Sequence, residues 1–193
     1  MHSDSLYSRS RGIIETEVLA GRHVAIIGLG SFGSQIALEL AKAGVGEFSL
    51  VDFDTIETHN LARHIAYLRD VGRLKTDVVE EAIMGKNPYA VVHKYAVNIN
   101  EDIASTEEIV ASADLVICAT DNNRSRFALS EILVRQAKHC IFGRAFTRAE
   151  GGDVFIYRPG GPCYNCLVGV MGNAAEEITD VDSARRNGAI TAY

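Results

Sequence analysis

The sequence predicts an α/β fold in which a doubly wound, mostly parallel sheet carries helices on both faces. Two observations predict it. Short apolar runs alternate along the chain with segments of helical periodicity, and parallel strands need helical crossovers of this kind. A glycine-rich turn, GLGSFG, also joins the first apolar run directly to the first long helical segment.

The predicted elements follow from where the apolar periodicity starts and stops. Six strands are expected at short, nearly continuous apolar runs, in residues 23–28, 47–52, 91–97, 114–120, 138–144 and 152–158. Helical spacing predicts helices in residues 13–22, 34–44, 74–85, 101–112 and 125–138. Gly44 is a suitable C-cap for the second of these helices.

This pattern divides the chain into three parts. Residues 1–22 are expected to form a polar arm and a short helix, and residues 23–159 the domain that contains the glycine turn and all six predicted strands. Residues 160–193 begin with GGPCYNC, rich in glycine and turn-forming residues, and show no evident further element. We interpret this cysteine-containing tail as the start of a truncated C-terminal region.

Composition narrows the class of protein. The 193 residues are 47% hydrophobic and 23% charged, which suits one domain with a continuous core. The formal charge of −6 argues against nucleic acid as the main partner. No stretch of about 18 apolar residues predicts a membrane span, and the polar N-terminus lacks a secretion signal. Four cysteines without a framework pattern also favour a cytoplasmic protein.

The glycine turn predicts a nucleotide site in a Rossmann-like domain. Gly28 suits the tight turn, Gly30 the close approach of backbone to phosphate, and Gly33 the packing of helix on strand. The helix N-terminus behind them attracts anions. Asp52 ends the second strand, where a carboxylate can accept hydrogen bonds from ribose hydroxyls. The same pattern suits an NAD dehydrogenase, so the turn alone leaves the reaction open.

Polar residues after the second strand favour a reaction at phosphate. Asn60, Arg63 and Lys75 follow the carboxyl end of that strand, the edge at which open α/β sheets bind ligands. A nucleotidyl transfer needs such cations, because charge builds on the α-phosphate and on the departing diphosphate. Asp54 and Asp121 are carboxylates at the same predicted edge, and suit Mg²⁺ beside a triphosphate. Taken singly, a loop arginine or lysine is more often a solvated surface group, and it is the set at one edge that favours the functional interpretation.

An ordered set of motifs resembles the ThiF/MoeB/HesA family, the bacterial relatives of ubiquitin-activating enzymes. The motifs are GLGSFG, LVDFDTIETHNLARH, Lys75, CATDNNRSR and GPCYNC, and they span about Ser8 to Leu167. The resemblance implies ATP-dependent adenylation of the C-terminal carboxylate of a ubiquitin-like or sulfur-carrier protein ending in Gly-Gly. It is far more specific than the glycine turn.

The resemblance also implies residue roles. Asp52 would bind the ribose of ATP. Three side chains would surround the phosphates: Asn60, Arg63 and Lys75. Asp121 would lie beside the α-phosphate and its magnesium.

Outside this set, Arg11 matches an arginine that family members extend into the partner's active site, which implies a homodimer; Arg9 is a nearby competitor. Cys163 and Cys166 match half of a four-cysteine zinc site.

This sequence departs from the family at several positions. Ser31 replaces a common glycine, and His64 replaces the usual glutamine after the phosphate-binding arginine. The second CxxC is absent, so either two zinc ligands lay in a removed segment or no zinc is bound. Cys118 and Cys140 fall within predicted buried strands, where they suit small core residues better than nucleophiles.

Three alternatives stay open at this point. Some family members adenylate a modified nucleoside in tRNA and drive dehydration. An NAD-dependent oxidoreductase fits the fold. A non-catalytic nucleotide-binding module would keep the site without the reaction.

Overall fold

Six strands form one sheet in the order β3-β2-β1-β4-β5-β6. The structure is a computed structural model that describes residues 6–9, 12–145 and 151–171. The first five strands run parallel and β6 runs antiparallel to β5. The strands are His23–Ile27 (β1), Glu47–Val51 (β2), Val91–Tyr95 (β3), Leu115–Cys118 (β4), Cys140–Ala145 (β5) and Gly152–Tyr157 (β6). The predicted mostly parallel α/β sheet is therefore confirmed.

Helices connect the parallel strands and cover both faces of the sheet. They are Thr16–Ala20 (α1), Ser31–Ala43 (α2), Lys75–Met84 (α3), Ile103–Ser112 (α4), Asn123–Gln136 (α5) and Tyr164–Met171 (α6). Two short 3₁₀ helices, Thr58–Asn60 and Leu68–Asp70, lie between β2 and α3. Gly44 ends α2 with φ +100°, as its predicted C-cap role requires. No helix in the described part of the chain is long and apolar enough to cross a membrane.

Two apolar layers hold these elements together, and the central strand β1 contributes side chains to both. Ala25 and Ile27 join one layer with α4 and α5, whereas Val24 and Ile26 join the other with α2 and α3. All five residues of β1 are buried. Burial on both faces explains why this strand reads as a continuous apolar run rather than an alternating one.

The structure differs from the sequence-based expectation at both ends. The N-terminal helix covers only Thr16–Ala20 of the expected 13–22, and none of its residues is buried. The tail, expected to lack a further element, contains α6. Tyr164 of this helix is fully buried and stacks on Phe142 of β5 at a ring distance of 5.1 Å. Burial of this one large ring anchors a helix that the glycine-rich sequence does not predict.

The order of the strands sets the position of the site. Neighbouring strands β1 and β4 are connected in opposite directions, to β2 and to β5, so their carboxyl ends open a crevice. Open α/β sheets bind ligands at such a point. The loops that follow β1, β2 and β4 meet there.

Candidate functional site

Gly28 joins the loop after β1 to the loop after β4. Its φ is +90°, a conformation that side-chain-bearing residues rarely adopt. A Cβ at this position would also lie 3.0 Å from the backbone of Ala119 and Thr120. Two requirements for glycine therefore coincide, and the segment leading to Asp121 is held directly against the glycine turn.

Gly33 and Gly30 are glycines for different reasons. A Cβ on Gly33 would overlap the carbonyl oxygen of Gly28, so Gly33 lets α2 pack against the turn. A Cβ on Gly30 would meet nothing within 4 Å. The protein itself therefore places no steric demand at Gly30, which leaves open space above the turn.

The first turn of α2 borders that open space. Gly30 is the N-cap residue and supplies no side-chain hydrogen bond to the helix. The backbone N–H groups of Ser31, Phe32 and Gly33 are among the donors that an α-helix leaves unpaired at its start. Together with the helix dipole they form a setting suited to a phosphate.

Asp52 fixes the turn from the end of β2. Its Oδ2 accepts a 2.7 Å hydrogen bond from the Leu29 N–H, and its Oδ1 accepts a 2.9 Å bond from the Asp54 N–H. Burial raises the pKa of this carboxyl, while the positive charge of Lys75 opposes that rise. Asp52 lies where a ribose-binding carboxylate is expected, and its oxygens keep further acceptor capacity.

Lys75 begins α3 and is turned inward, not toward bulk water. The residue is 9% exposed, and its Nζ donates a 2.7 Å hydrogen bond to Asp54 Oδ2. The same Nζ lies 3.8 Å from Asp52 Oδ1. A backbone bond from Lys75 N to Asp54 O holds the two segments together. The structure thus brings three of the predicted site residues into one charged cluster.

Asn60 and Arg63 lie on the segment that connects β2 to α3. The Asn60 side chain accepts a 2.9 Å bond from the Glu57 N–H, so it shapes the local 3₁₀ helix. Arg63 is exposed. The next residue, His64, is buried and its Nε2 lies 2.8 Å from the Leu29 carbonyl oxygen. Arg63 is therefore tethered beside the turn through its neighbour.

Asp121 follows β4 on the loop that packs against Gly28. It is exposed, and Asn122 Nδ2 approaches its Oδ1 at 3.4 Å. Asn122 also caps α5, because its side chain accepts a 2.9 Å bond from the Ser125 N–H. The Asp121 carboxylate is thus accessible at the mouth of the crevice, on a loop fixed at both ends.

A buried polar network behind this loop was not predicted from the sequence. Arg126 is 3% exposed and donates to the Thr120 carbonyl oxygen at 2.5 Å and to Asn123 Oδ1 at 3.3 Å. The Tyr164 hydroxyl donates a 2.8 Å bond to the same Asn123 oxygen. Arg144, also buried, contacts Tyr164 at 3.2 Å and pairs with Asp153.

This network holds the Thr120 carbonyl before Asp121 and the Asn123 side chain after it. The only hint in the sequence was Arg126 itself, a charged residue between positions that become buried on α5. The pairing of Arg126 with a backbone carbonyl depends on the three-dimensional arrangement, so spacing along the chain could not show it.

The four cysteines separate into two pairs. Cys118 and Cys140 are buried in neighbouring strands, and burial raises the pKa of both thiols, as expected for core residues. Cys163 and Cys166 lie at the start of α6 with their sulfur atoms 3.7 Å apart. That separation matches the edge of a tetrahedron with Zn–S bonds of about 2.3 Å. Yet residues 6–9, 12–145 and 151–171 contain no group of three or more His, Cys, Asp or Glu side chains that could hold a metal.

The two arginines of the N-terminal arm differ in what the structure describes. Arg11 lies outside the described residues, whereas Arg9 is exposed. Apart from Cys163 and Cys166, the remaining predicted residues lie on the loops after β1, β2 and β4 or at the start of α2 and α3, at the carboxyl edge of the sheet. This edge offers backbone N–H groups and cations to phosphate, and carboxylates to hydroxyls or a divalent ion.

Comparison with known proteins identifies the family of the chain. The ThiF family model matches residues 7–190. An adenylyltransferase and sulfurtransferase UBA4 of Eremothecium gossypii is 32% identical over 168 residues, covering 83% of this chain and 38% of the relative. The molybdopterin-synthase adenylyltransferase of Escherichia coli K12 is 35% identical over 161 residues, covering 82% of this chain and 64% of the relative. The chain thus spans less than two thirds of these relatives.

Solved structures give the same picture. A structure of E. coli MccB with MccA-N7isoASN superposes with a TM-score of 0.73 at 26% identity, over 83% of this chain and 50% of that one. A structure of MccB alone gives a TM-score of 0.74 at 27% identity, over 86% and 49% of the respective chains. From the family match over nearly its whole length, this chain belongs to the ThiF family.

Proposed function

We propose that this chain adenylates a carboxylate with ATP, and that the carboxylate is the C-terminus of a ubiquitin-like or sulfur-carrier protein. The observation that carries the proposal is the inward-facing Lys75, held between Asp52 and Asp54 beside the glycine turn. A hydride transfer has little use for a cation there, whereas phosphoryl chemistry needs one. The names of the relatives, adenylyltransferases of this kind, support the same reaction.

The reaction joins the carboxylate to the α-phosphorus of ATP. A carboxylate oxygen attacks that phosphorus, the bond to the bridging oxygen of the β-phosphate breaks, and diphosphate leaves with the electron pair. The product is an acyl-adenylate. No general base is needed, because a C-terminal carboxylate is already ionised at pH 7. The protein therefore contributes position and electrostatic stabilisation.

Each site residue has a role in this proposal. Asp52 accepts hydrogen bonds from the ribose, and the amides of the glycine turn and of α2 receive phosphate. Arg63, exposed beside the turn, grips phosphate oxygens with two donors. Lys75 has three N–H donors and gives one to Asp54, so it can contact phosphate without leaving its place. Asn60 orders the segment that bears Arg63.

Asp121 is the residue that would hold Mg²⁺ together with phosphate oxygens. Magnesium commonly takes only one or two protein carboxylates and fills its other positions with phosphate and water. An exposed carboxylate at the crevice mouth suits that requirement. When bound, the ion would neutralise charge developing on the phosphates. Arg126 and Asn123 keep the loop of Asp121 in position.

Partners follow from the same reasoning. We propose a homodimer in which Arg11 of one protomer reaches the site of the other, and a carrier protein whose flexible Gly-Gly end enters beside Asp121. We also keep the proposal that Cys163 and Cys166 form half of a zinc site. Two thiolates alone do not complete tetrahedral coordination, so this site requires two further ligands.

Exchange of labelled diphosphate into ATP tests the reaction. With a sulfur-carrier protein ending in Gly-Gly, the wild-type chain should catalyse exchange, and the same carrier lacking its last glycine is the matched control. Arg63→Ala and Asp121→Ala should reduce exchange at least a hundredfold, about the effect of removing one electrostatic group from an active site. Both residues are exposed, so melting temperatures should hold. Undiminished exchange in both variants would reject these assignments.

A further inference from the structure

We propose that His64 is a positioning residue that holds the peptide between Leu29 and Gly30, so that the Gly30 N–H faces bound phosphate, and that it does so only as neutral imidazole. The inference rests on the proposed function, because it assigns a phosphate-binding task to the glycine turn. It adds a residue that has no part in the roles assigned above and makes the site sensitive to acid.

Hydrogen bonds define which nitrogen of His64 carries the proton. The Ala66 N–H donates to Nδ1 at 3.0 Å, so Nδ1 must be unprotonated. Nε2 then carries the hydrogen and donates it to the Leu29 carbonyl oxygen at 2.8 Å. The residue is 7% exposed, so water does not compete freely for either bond. The ring bridges the segment containing Arg63 to the glycine turn.

Pinning the Leu29 carbonyl also orients the Gly30 N–H. The two groups belong to the same trans peptide, in which C=O and N–H point in opposite directions. Within the described residues, the Gly30 N–H has no hydrogen-bond acceptor, and the space where its side chain would project is open. It is thus a fixed, unsatisfied donor next to the first turn of α2.

The preceding peptide is fixed as well. The Leu29 N–H donates to Asp52 Oδ2 at 2.7 Å, and Leu29 itself is fully buried. Asp52 and His64 therefore hold the two peptides on either side of Leu29, one through its N–H and one through its C=O. With Asp52 and His64 in place, the turn is already ordered before phosphate binds, so binding does not lose the conformational entropy of ordering it.

Protonation of His64 would break this arrangement. A proton on Nδ1 would face the Ala66 N–H and turn an acceptor into a donor. Burial lowers the pKa of His64, and the positive charge of Lys75 lowers it further. The bond to Leu29 and the charges of Asp52 and Asp70 act in the opposite direction. The net effect lowers the pKa of His64, so the ring is neutral at neutral pH. It loses its grip on the Leu29–Gly30 peptide only below about pH 6.5, the ordinary pKa of histidine.

The test compares affinity for ATP–Mg²⁺ between about pH 5 and pH 8 in three proteins: wild type, His64→Gln and His64→Asn. Glutamine keeps a donor that reaches Leu29 and does not titrate. Asparagine keeps an acceptor near the Ala66 N–H but is too short to reach Leu29. At pH 8, glutamine should rescue binding to within about threefold of wild type, and asparagine should weaken it about tenfold, the effect of one lost hydrogen bond.

The decisive comparison is the ATP–Mg²⁺ affinity of wild type and of His64→Gln at acid pH. Wild-type affinity should fall more steeply than that of His64→Gln as the pH drops from about 6.5 to 5. Titration of ATP is common to both proteins and cancels. Melting temperatures at each pH check that both remain folded. Superimposable pH profiles with intact ATP binding would overturn the role of His64 alone. Absence of ATP binding by the wild type at every pH would overturn the proposed function, and this role with it.

Discussion

The Nζ of Lys75 lies 2.7 Å from Asp54 Oδ2 and 3.8 Å from Asp52 Oδ1, so one ammonium group serves two carboxylates that follow β2. Asp52 is the more enclosed of the two, with a side chain 9% exposed against 51% for Asp54. The Lys75 side chain is 11% exposed. This cluster is the electrostatic centre of the crevice, and several measurable consequences follow from it.

Removing the Lys75 charge should weaken the fold as well as the site. Lys75→Gln leaves the enclosed Asp52 without its cation, and we expect a loss of about 1–3 kcal/mol in the free energy of unfolding. That is less than for a fully buried pair, because Asp54 is half exposed. Lys42→Gln is the matched control, since Lys42 forms an equally short but exposed pair with Glu39. It should change stability by less than about 0.5 kcal/mol in urea denaturation.

The carboxyl of Asp52 should titrate above the ordinary range of aspartate. Its pKa is raised mainly by burial, so the folded protein binds this proton more tightly than the unfolded chain. Stability contributed by the protonated form is therefore lost as the pH rises from about 4 through the folded pKa. Because Lys75 opposes the rise, Lys75→Met should move the pKa of Asp52 higher still. Carbon-13 NMR of the carboxyl measures both effects, and an unchanged titration in the variant would contradict the pairing.

Two glycine substitutions should separate folding from binding. Gly33→Ala places a methyl group against the Gly28 carbonyl, and should lower stability by about 2 kcal/mol. Gly30→Ala places the same methyl in open space, so the melting temperature should hold while affinity for ATP falls at least tenfold. Calorimetry and a nucleotide titration measure the two effects. Full ATP affinity in Gly30→Ala would show that phosphate does not approach this turn.

Nucleotide identity should distinguish adenylation from hydride transfer. At a concentration about 100 times its Kd, a ligand stabilises the folded state by about 2.7 kcal/mol. For a domain of this size that corresponds to about 5–10 °C in melting temperature. ATP–Mg²⁺ should produce this shift and NAD should not. The reverse result would favour the oxidoreductase alternative.

Much of the fold was predictable because apolar periodicity is a local property. The six strands appear where continuous apolar runs were found, and Gly44 ends α2 as its position suggested. Helix α6 was missed because its stability comes from burying Tyr164 against Phe142, more than twenty residues earlier in the chain. A short, glycine-rich segment carries no periodic signal of such a distant contact.

The sequence predicted which residues form the candidate site, but not the contacts that hold their loops in place. Chain order placed Asp52, Lys75 and Asp121 at one edge of the sheet, and the structure brings Asp52 and Lys75 into one cluster. Apart from the charge of Arg126 itself, no pattern in the sequence indicates that this side chain binds the Thr120 carbonyl or that His64 reaches Leu29. Both are contacts from a side chain to a backbone oxygen, six residues away for Arg126 and 35 residues away for His64, and neither follows from a spacing rule.

The mass of the carrier protein tests the central claim most directly. A sulfur carrier ending in Gly-Gly, incubated with this chain and ATP–Mg²⁺ and then denatured, should gain the mass of one adenylyl group with release of diphosphate. The carrier without its last glycine, and the Asp121→Ala variant with the intact carrier, should give no such product. An unmodified carrier in the wild-type reaction, despite demonstrated ATP binding, would contradict adenylation as the function of this site.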